Sequence, residues 1–147
     1  MSYIGRFAPS PTGPLHFGSL LTAVASYCDA KANHGKWLVR IEDTDIARIY
    51  PHSEAHILSC IDAFQFEPDA EIIFQKDRLE LYEQVLEQLK QLQAVYACQC
   101  TRKMLGSNHI YAGTCRDLHL DFNQQAIRLK VSNQLICFDD RLQGRQC

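Results

Sequence analysis

PSPTGPLHFGS (residues 9–19) lies between an apolar, strand-like run at 3–8 and a long stretch with helical spacing. Pro9, Pro11 and Pro14 stiffen the junction, Gly13 permits a tight turn, and His16 opens the helix with Gly18 and Ser19 in its first turn. A nucleotide's phosphates need such a place: free backbone N–H groups, the positive end of a helix dipole and no bulky side chain in the way. The string is neither a Walker loop nor a dinucleotide GxGxxG fingerprint. A proline-rich connector with an exposed histidine is the plainer alternative. A lone His-x-Gly pair would favour that alternative; an eleven-residue string at a strand-to-helix junction does not.

Outward from this junction, strand and helix signals alternate. Leu20, Leu21, Val24, Ala25, Tyr27 and Cys28 fall near helical spacing, and Gly35 is the expected stop. KWLVRIE (36–42) is the next strand, followed by the polar Asp43, Thr44 and Asp45, which fit loop capping or solvated charge better than metal ligation. Ser53 is expected to cap a helix to about Phe64, with Ala55, Ile57, Leu58 and Ile61 inward. A short strand at 72–74 and a strong helix capped by Asp77 follow, then strand candidates at 126–131 and 135–138. The alternation predicts an α/β fold with a parallel sheet, whose ligands bind beyond the carboxyl ends of the strands. The change of character after Tyr96 divides the chain into residues 1–96, a nucleotide-binding part, and 97–147, a cysteine-rich module.

The 147 residues are 46% hydrophobic, enough to bury a core, and the net charge of −2 gives no global field for nucleic acid. No apolar stretch approaches the roughly 20 residues that cross a bilayer, and the first residues lack a secretory layout, so no membrane partner is expected. Seven cysteines without such a signal fit a reducing cytoplasm and suggest metal before disulfides. Cys98 and Cys100, with Cys115 further on, can converge on tetrahedral zinc, and Tyr111, His109 and His119 are candidates for the fourth ligand. Chemistry alone favours a histidine. Cys28 and Cys60 are expected in the core, while Cys137 and Cys147 show no partner pattern.

Arg6 ends the first strand and Glu42 the second. Strands that pair as neighbours bring these ends together, where an arginine matches a carboxylate and a glutamate neutralises an ammonium. The pair suits glutamate; its structural alternative is an Arg–Glu bridge bracing two strand ends.

His16-Phe17-Gly18-Ser19 resembles the HIGH motif of class I aminoacyl-tRNA synthetases, and GRFAPSPTGPLHFGS is similar to the glutamyl subgroup. LHFGSLLTAVASY and the spacing C-x-C…Y-x-x-x-C resemble the glutamyl-queuosine tRNA(Asp) synthetase branch, over nearly the whole chain. The resemblance implies the first half of a Rossmann-like sheet with a zinc-binding insertion. It also implies ATP- and magnesium-dependent activation of glutamate to glutamyl-adenylate, then transfer to the queuosine base at the wobble position of tRNA(Asp). By the same resemblance His16, Gly18 and Ser19 are catalytic, and Pro11, Thr12, Gly13, His16 and Gly18 hold ATP. Arg6, Phe7, Ala8, Pro9, Ser10 and Glu42 hold glutamate, and Cys98, Cys100, Tyr111 and Cys115 hold zinc in a structural role. Lys103-Met104-Leu105-Gly106-Ser107 only superficially matches the family's second ATP motif. Because family members continue into a second half that completes both sites, the chain is expected to be an inactive N-terminal part. The alternatives are an ordinary glutamyl-tRNA synthetase fragment, a non-catalytic zinc-bearing binding module, and a small nucleotidyltransferase.

Overall fold

A computed structural model describes residues 3–105, 111–132 and 134–147, with the Arg102 side chain left aside. By contact the chain forms two compact units, Met1–Tyr82 and Glu83–Cys147. The sequence changes character at 96/97, whereas contact groups residues 83–96 with the cysteine-rich unit, because the strand there pairs with a later one.

In the first unit, β1 (Ile4–Phe7), β2 (Lys36–Ile41) and β3 (Ile73–Phe74) form a parallel sheet in that order. The crossovers are α1 (Phe17–Ala32) and α2 (Ser53–Ala63). The expected α/β sheet is present. Its core lies on one face, where Phe7, Trp37, Val39 and Ile41 meet Ala23, Ala30, Ile57 and Ile61. Trp37 is fully buried, stacks with Phe7, meets Tyr27 edge-on, and donates its indole N–H to Ser26 at 2.9 Å.

The inner face of α1 differs from expectation. Small residues make the contact: a Cβ on Gly5 would lie 2.9 Å from the Ser26 carbonyl and 3.1 Å from the Ala30 Cβ. The helix therefore sits against the strand backbone, its Ala23–Ala30 side inward, and Leu21 and Cys28 are exposed. Cys60 is only half-buried, so neither cysteine belongs to the core. Gly35 is required for the same kind of reason, since its Cβ would come within 2.3 Å of the Tyr3 carbonyl oxygen.

Two expected caps move. Tyr50 to Ser53 closes a turn, with Ser53 N–H donating to the Tyr50 carbonyl at 3.1 Å and His52 at φ 64°. Pro51 followed by a left-handed residue is a type II turn, so Ser53 enters as the first helical residue, not the cap. Asp77 lies inside a single 3-10 turn, Gln75–Arg78, before α3 (Leu79–Gln91). The capping is done by Asp43, buried after β2, whose carboxylate accepts the Lys76 N–H at 2.9 Å and pairs with the Lys76 ammonium. Asp45 is exposed and pairs with Arg48.

In the second unit β4 (Val95–Cys98) pairs antiparallel with β5 (Ala126–Leu129), and α4 (Arg102–Leu105) follows β4. The strand expected at 135–138 is displaced. The structure has β6 (Phe138–Asp140) pairing with β7 (Gly144–Gln146), because the Asp140 carboxylate accepts the N–H groups of Leu142 and Gln143 and sets the turn there. Cys137 and Cys147 are joined by a disulfide across this hairpin. Among the described residues no helix is long and apolar enough to cross a membrane.

Trp37→Ala is expected to lower the unfolding free energy by about 3–5 kcal/mol in urea titration, and Leu21→Ala by less than about 0.5 kcal/mol. Asp69 accepts the Trp37 N–H and the Lys31 ammonium, and its carboxyl is held below the ordinary value by Lys31 first and Trp37 second. Its contribution is present above the ordinary carboxylate range and lost as pH falls through the lowered value. Asp69→Asn is therefore expected to flatten the acid side of a stability–pH profile.

Candidate functional site

Beyond the carboxyl end of β1 the chain runs on as an irregular loop, with Phe7, Pro9 and Pro11 buried and Ser10 and Thr12 exposed. The proline carbonyls anchor it: Pro9 accepts from Glu42 N–H and Pro11 from Tyr50 N–H, both at 2.9 Å. A loop lacking its own donors at Pro9 and Pro11 is thus held by its acceptors, and the prolines restrict it before any ligand arrives. It walls a cleft of about 490 Å³ lined by Phe7, Ala8, Pro9, Ser10, Thr12 and Gly13 on one side and His16, Ser19 and Thr22 on the helix side. Pro14 and Leu15 complete the lining.

His16 is the N-cap of α1. Its Nδ1 accepts the Ser19 N–H at 3.2 Å, and its Nε2 lies 3.2 Å from the Ser19 hydroxyl. An accepting Nδ1 puts the proton of the neutral ring on Nε2, ready to donate. Gly18 does not line the cleft; a Cβ there would press on the His16 ring at 3.1 Å, so its smallness keeps the imidazole in place. Pro11 lies behind the wall, fully buried.

Arg6 and Glu42 also stand outside the cleft lining. By strand alternation Arg6, Arg40 and Glu42 share the sheet face opposite the helices, where Arg6 is exposed. The expected adjacency of β1 and β2 is present, yet Glu42 pairs along its own strand, its Oε1 at 2.5 Å from the Arg40 guanidinium. The Arg6–Glu42 bridge is absent among the described residues. Sequence reasoning missed Arg40, whose position two residues before Glu42 was the available signal.

In the second unit the Sγ atoms of Cys98, Cys100 and Cys115 lie within 4.8 Å of one another. The Tyr111 hydroxyl is 3.4 Å from Cys98 and 3.6 Å from Cys100, and it accepts the Cys115 N–H at 2.9 Å. Zn–S bonds of about 2.3 Å separate sulfurs by about 3.8 Å in a tetrahedron, so this donor set fits such an ion. His119 is outside the cluster, and His109 lies outside the described residues, as do Gly106 and Ser107. Burial pushes the Cys98 thiol up, but hydrogen bonds from Tyr111 and Arg128 outweigh it and bring it down to about 6. Tyr111 is pushed up, first by Cys98 and then by Cys115. Arg128, its guanidinium 4.2 Å from the centre of the Tyr111 ring, is a further residue of this site. No local pattern pointed to it, because its place depends on β4–β5 pairing.

Residues 4–145 match the family described as tRNA synthetases class I (E and Q), catalytic domain. The chain is 78% identical over 146 residues to the glutamyl-Q tRNA(Asp) synthetase of Acinetobacter baylyi, covering 99% of this chain and 50% of that protein. It is 49% identical over 144 residues to that of Pseudomonas fluorescens, covering 97% and 48%. The chain thus spans about half the length of the curated relatives it matches. Among solved structures, a glutamate tRNA ligase from Elizabethkingia meningosepticum, in complex with its amino acid, superposes with a TM-score of 0.80 at 28% identity, covering 99% of this chain and 36% of that one.

Cobalt titration is expected to give one equivalent per chain with thiolate charge-transfer absorption. Cys98→Ser and Cys115→Ser should each weaken that signal, while His119→Ala leaves it unchanged.

Proposed function

The chain belongs to the class I tRNA synthetases (E and Q), and we propose that it carries the nucleotide-binding first half of a glutamate-activating enzyme. The observation that carries this is the His16-capped cleft beyond the carboxyl end of β1, walled by residues 7–13. The glutamate α-carboxylate attacks the α-phosphate of ATP, the bond to the β-phosphate oxygen breaks, and pyrophosphate leaves with magnesium as counter-ion. Such a step needs positioning and charge stabilisation, not a protein nucleophile. His16 donates from Nε2 to phosphate oxygens, the first N–H groups of α1 add their dipole, and Ser19 and Gly18 hold the imidazole. Pro11, Thr12 and Gly13 shape the ATP side; Phe7, Ala8, Pro9 and Ser10 shape the glutamate side. Arg6 takes the substrate's side-chain carboxylate and Glu42 its ammonium.

The 78% identity to a glutamyl-Q tRNA(Asp) synthetase supports the queuosine base of tRNA(Asp) as acceptor, over the ordinary tRNA end, in the cytoplasm. Cys98, Cys100, Tyr111 and Cys115 hold a zinc ion, which ties the small second unit together, and Arg128 offsets the excess negative charge of the thiolates. A second reading, a binding module without turnover, is favoured by two observations: Glu42 is engaged by Arg40, and Arg6 lies outside the cleft.

Calorimetry with a non-hydrolysable glutamyl-adenylate analogue separates these readings from unrelated nucleotide binding. Arg6→Ala is expected to weaken binding about ten- to hundredfold, the value of a charged hydrogen bond. Equal binding by both proteins would remove glutamate from the proposal. Glutamate-dependent ATP–pyrophosphate exchange by the chain alone is expected to stay at or near background. Exchange that depends on glutamate and is lost in His16→Ala would overturn that expectation; exchange that persists in His16→Ala would overturn the role of the cap.

A further inference from the structure

The cysteines of the chain occupy three environments. Cys98 and Cys115 are buried and Cys100 is half-buried in the thiol cluster, where a metal can hold them. Cys28 and Cys60 lie on separate helices, with no sulfur partner among the described residues. Cys137 and Cys147 are exposed and bridged across the β6–β7 hairpin. The register accounts for the bridge: Phe138 stands opposite Gln146, so the next pair outward along the ladder is Cys137 and Cys147. Their Cα atoms are 4.1 Å apart, well inside the roughly 7 Å beyond which a bridge requires backbone movement.

The hairpin has little else to hold it. Among the described residues β6 and β7 pair only with each other, three residues to a strand. Phe138 is 60% exposed and Leu142 95%, so neither side chain builds a core. A lone two-stranded hairpin is marginal in water, and a bridge spanning 10 residues shifts its balance between formed and frayed by about a hundredfold.

We propose that Cys137 and Cys147 form a redox modification site, closed and opened by exchange with a low-molecular-weight disulfide and its thiol, which orders the hairpin and spares the thiol cluster. In opening, a small thiolate attacks one exposed sulfur, forms a mixed disulfide with it and releases the other cysteine as thiolate. A second small thiolate displaces the remaining protein sulfur. Two cysteine thiols and one small disulfide result, the protons of the small thiols passing to the cysteines. Closure is the reverse, with the small disulfide reduced to two thiols. Both directions need an open path to sulfur, which Cys137 and Cys147 have and the buried Cys98 and Cys115 lack. In a reducing compartment a bridge so exposed is a switch and not a permanent staple.

The test equilibrates the whole chain in glutathione mixtures from strongly reducing to strongly oxidising, alkylates the free thiols in denaturant and maps the peptides by mass spectrometry. The 137–147 bridge is expected to be open at the reducing end and closed at the oxidising end. A bridge that stays closed in the most reducing mixture, or two thiols that stay free in the most oxidising one, would overturn the switch. Cys98, Cys100 and Cys115 should still be alkylated in mixtures where the bridge has closed; disulfides among them at the same point would overturn the sparing of the cluster. In Cys137→Ser, Cys147 should take a glutathione adduct, and a failure to do so would refute its accessibility. Amide resonances of residues 138–146 should show strand-like shifts in the oxidised chain and lose them in the reduced chain and in Cys137→Ser. Shifts that reduction leaves unchanged would remove the ordering role. Both cysteines are exposed, so Cys137→Ser and Cys147→Ser leave the buried clusters intact, and reduced wild type supplies the same comparison without a substitution.

Discussion

The close approach of α1 to β1 sets the geometry of the first unit. With Gly5 under Ser26 and Ala30, and Gly35 against the Tyr3 carbonyl, the carboxyl end of the helix is pinned at the start of the strand. Sixteen helical residues at 1.5 Å each run about 24 Å, while β1 has only four residues at about 3.3 Å each. The amino end of the helix must therefore stand beyond the carboxyl end of the strand. His16 and the free N–H groups are placed at the cleft by this mismatch of lengths, and Trp37 locks it from below. A bulkier contact face would lift the helix and carry His16 away from residues 7–13.

The two units hold their functional groups by different physics. In the first, proline carbonyls accept N–H groups from Glu42 and Tyr50, so the loop that walls the cleft would lose little further freedom on binding a ligand. In the second, the buried cluster is small, Tyr96, Cys98 and Cys115 with a few half-buried neighbours. Apolar burial of that extent contributes little, and a metal held by Cys98, Cys100, Tyr111 and Cys115 would supply the missing cohesion. The same hydroxyl that faces the sulfurs also takes the Cys115 N–H, so the thiol cluster is organised around Tyr111.

Much of this was legible because it is local. The parallel β1–α1–β2 order, the cleft-forming string and the cysteine spacing all depend on residues close in sequence. The inner face of α1 was not, because sequence patterns weigh large apolar residues whereas this contact selects small ones; Leu21 and Cys28 face outward for that reason. Ser53 and Asp77 look like caps, yet a Pro51–His52 turn and the distant Asp43 occupy those roles. Arg128 and His119 acquire their places from β4–β5 pairing and a cleft that no spacing encodes.

The Arg40–Glu42 pair bears on how the amino-acid site would work. Arg40 takes one oxygen of Glu42, and the other has no partner among the described residues. A carboxylate has room for several donors, so an incoming ammonium need not displace the guanidinium. The pair holds Glu42 in one orientation, and the side chains stay 27% and 34% exposed, with solvent still screening them. Arg40 would then act as the brace that the structural alternative gave to Arg6, leaving the Arg6 guanidinium without an ion-pair partner among the described residues. An arginine kept out of the internal bridge is the one able to recognise a second carboxylate, which distinguishes glutamate from its neutral amide.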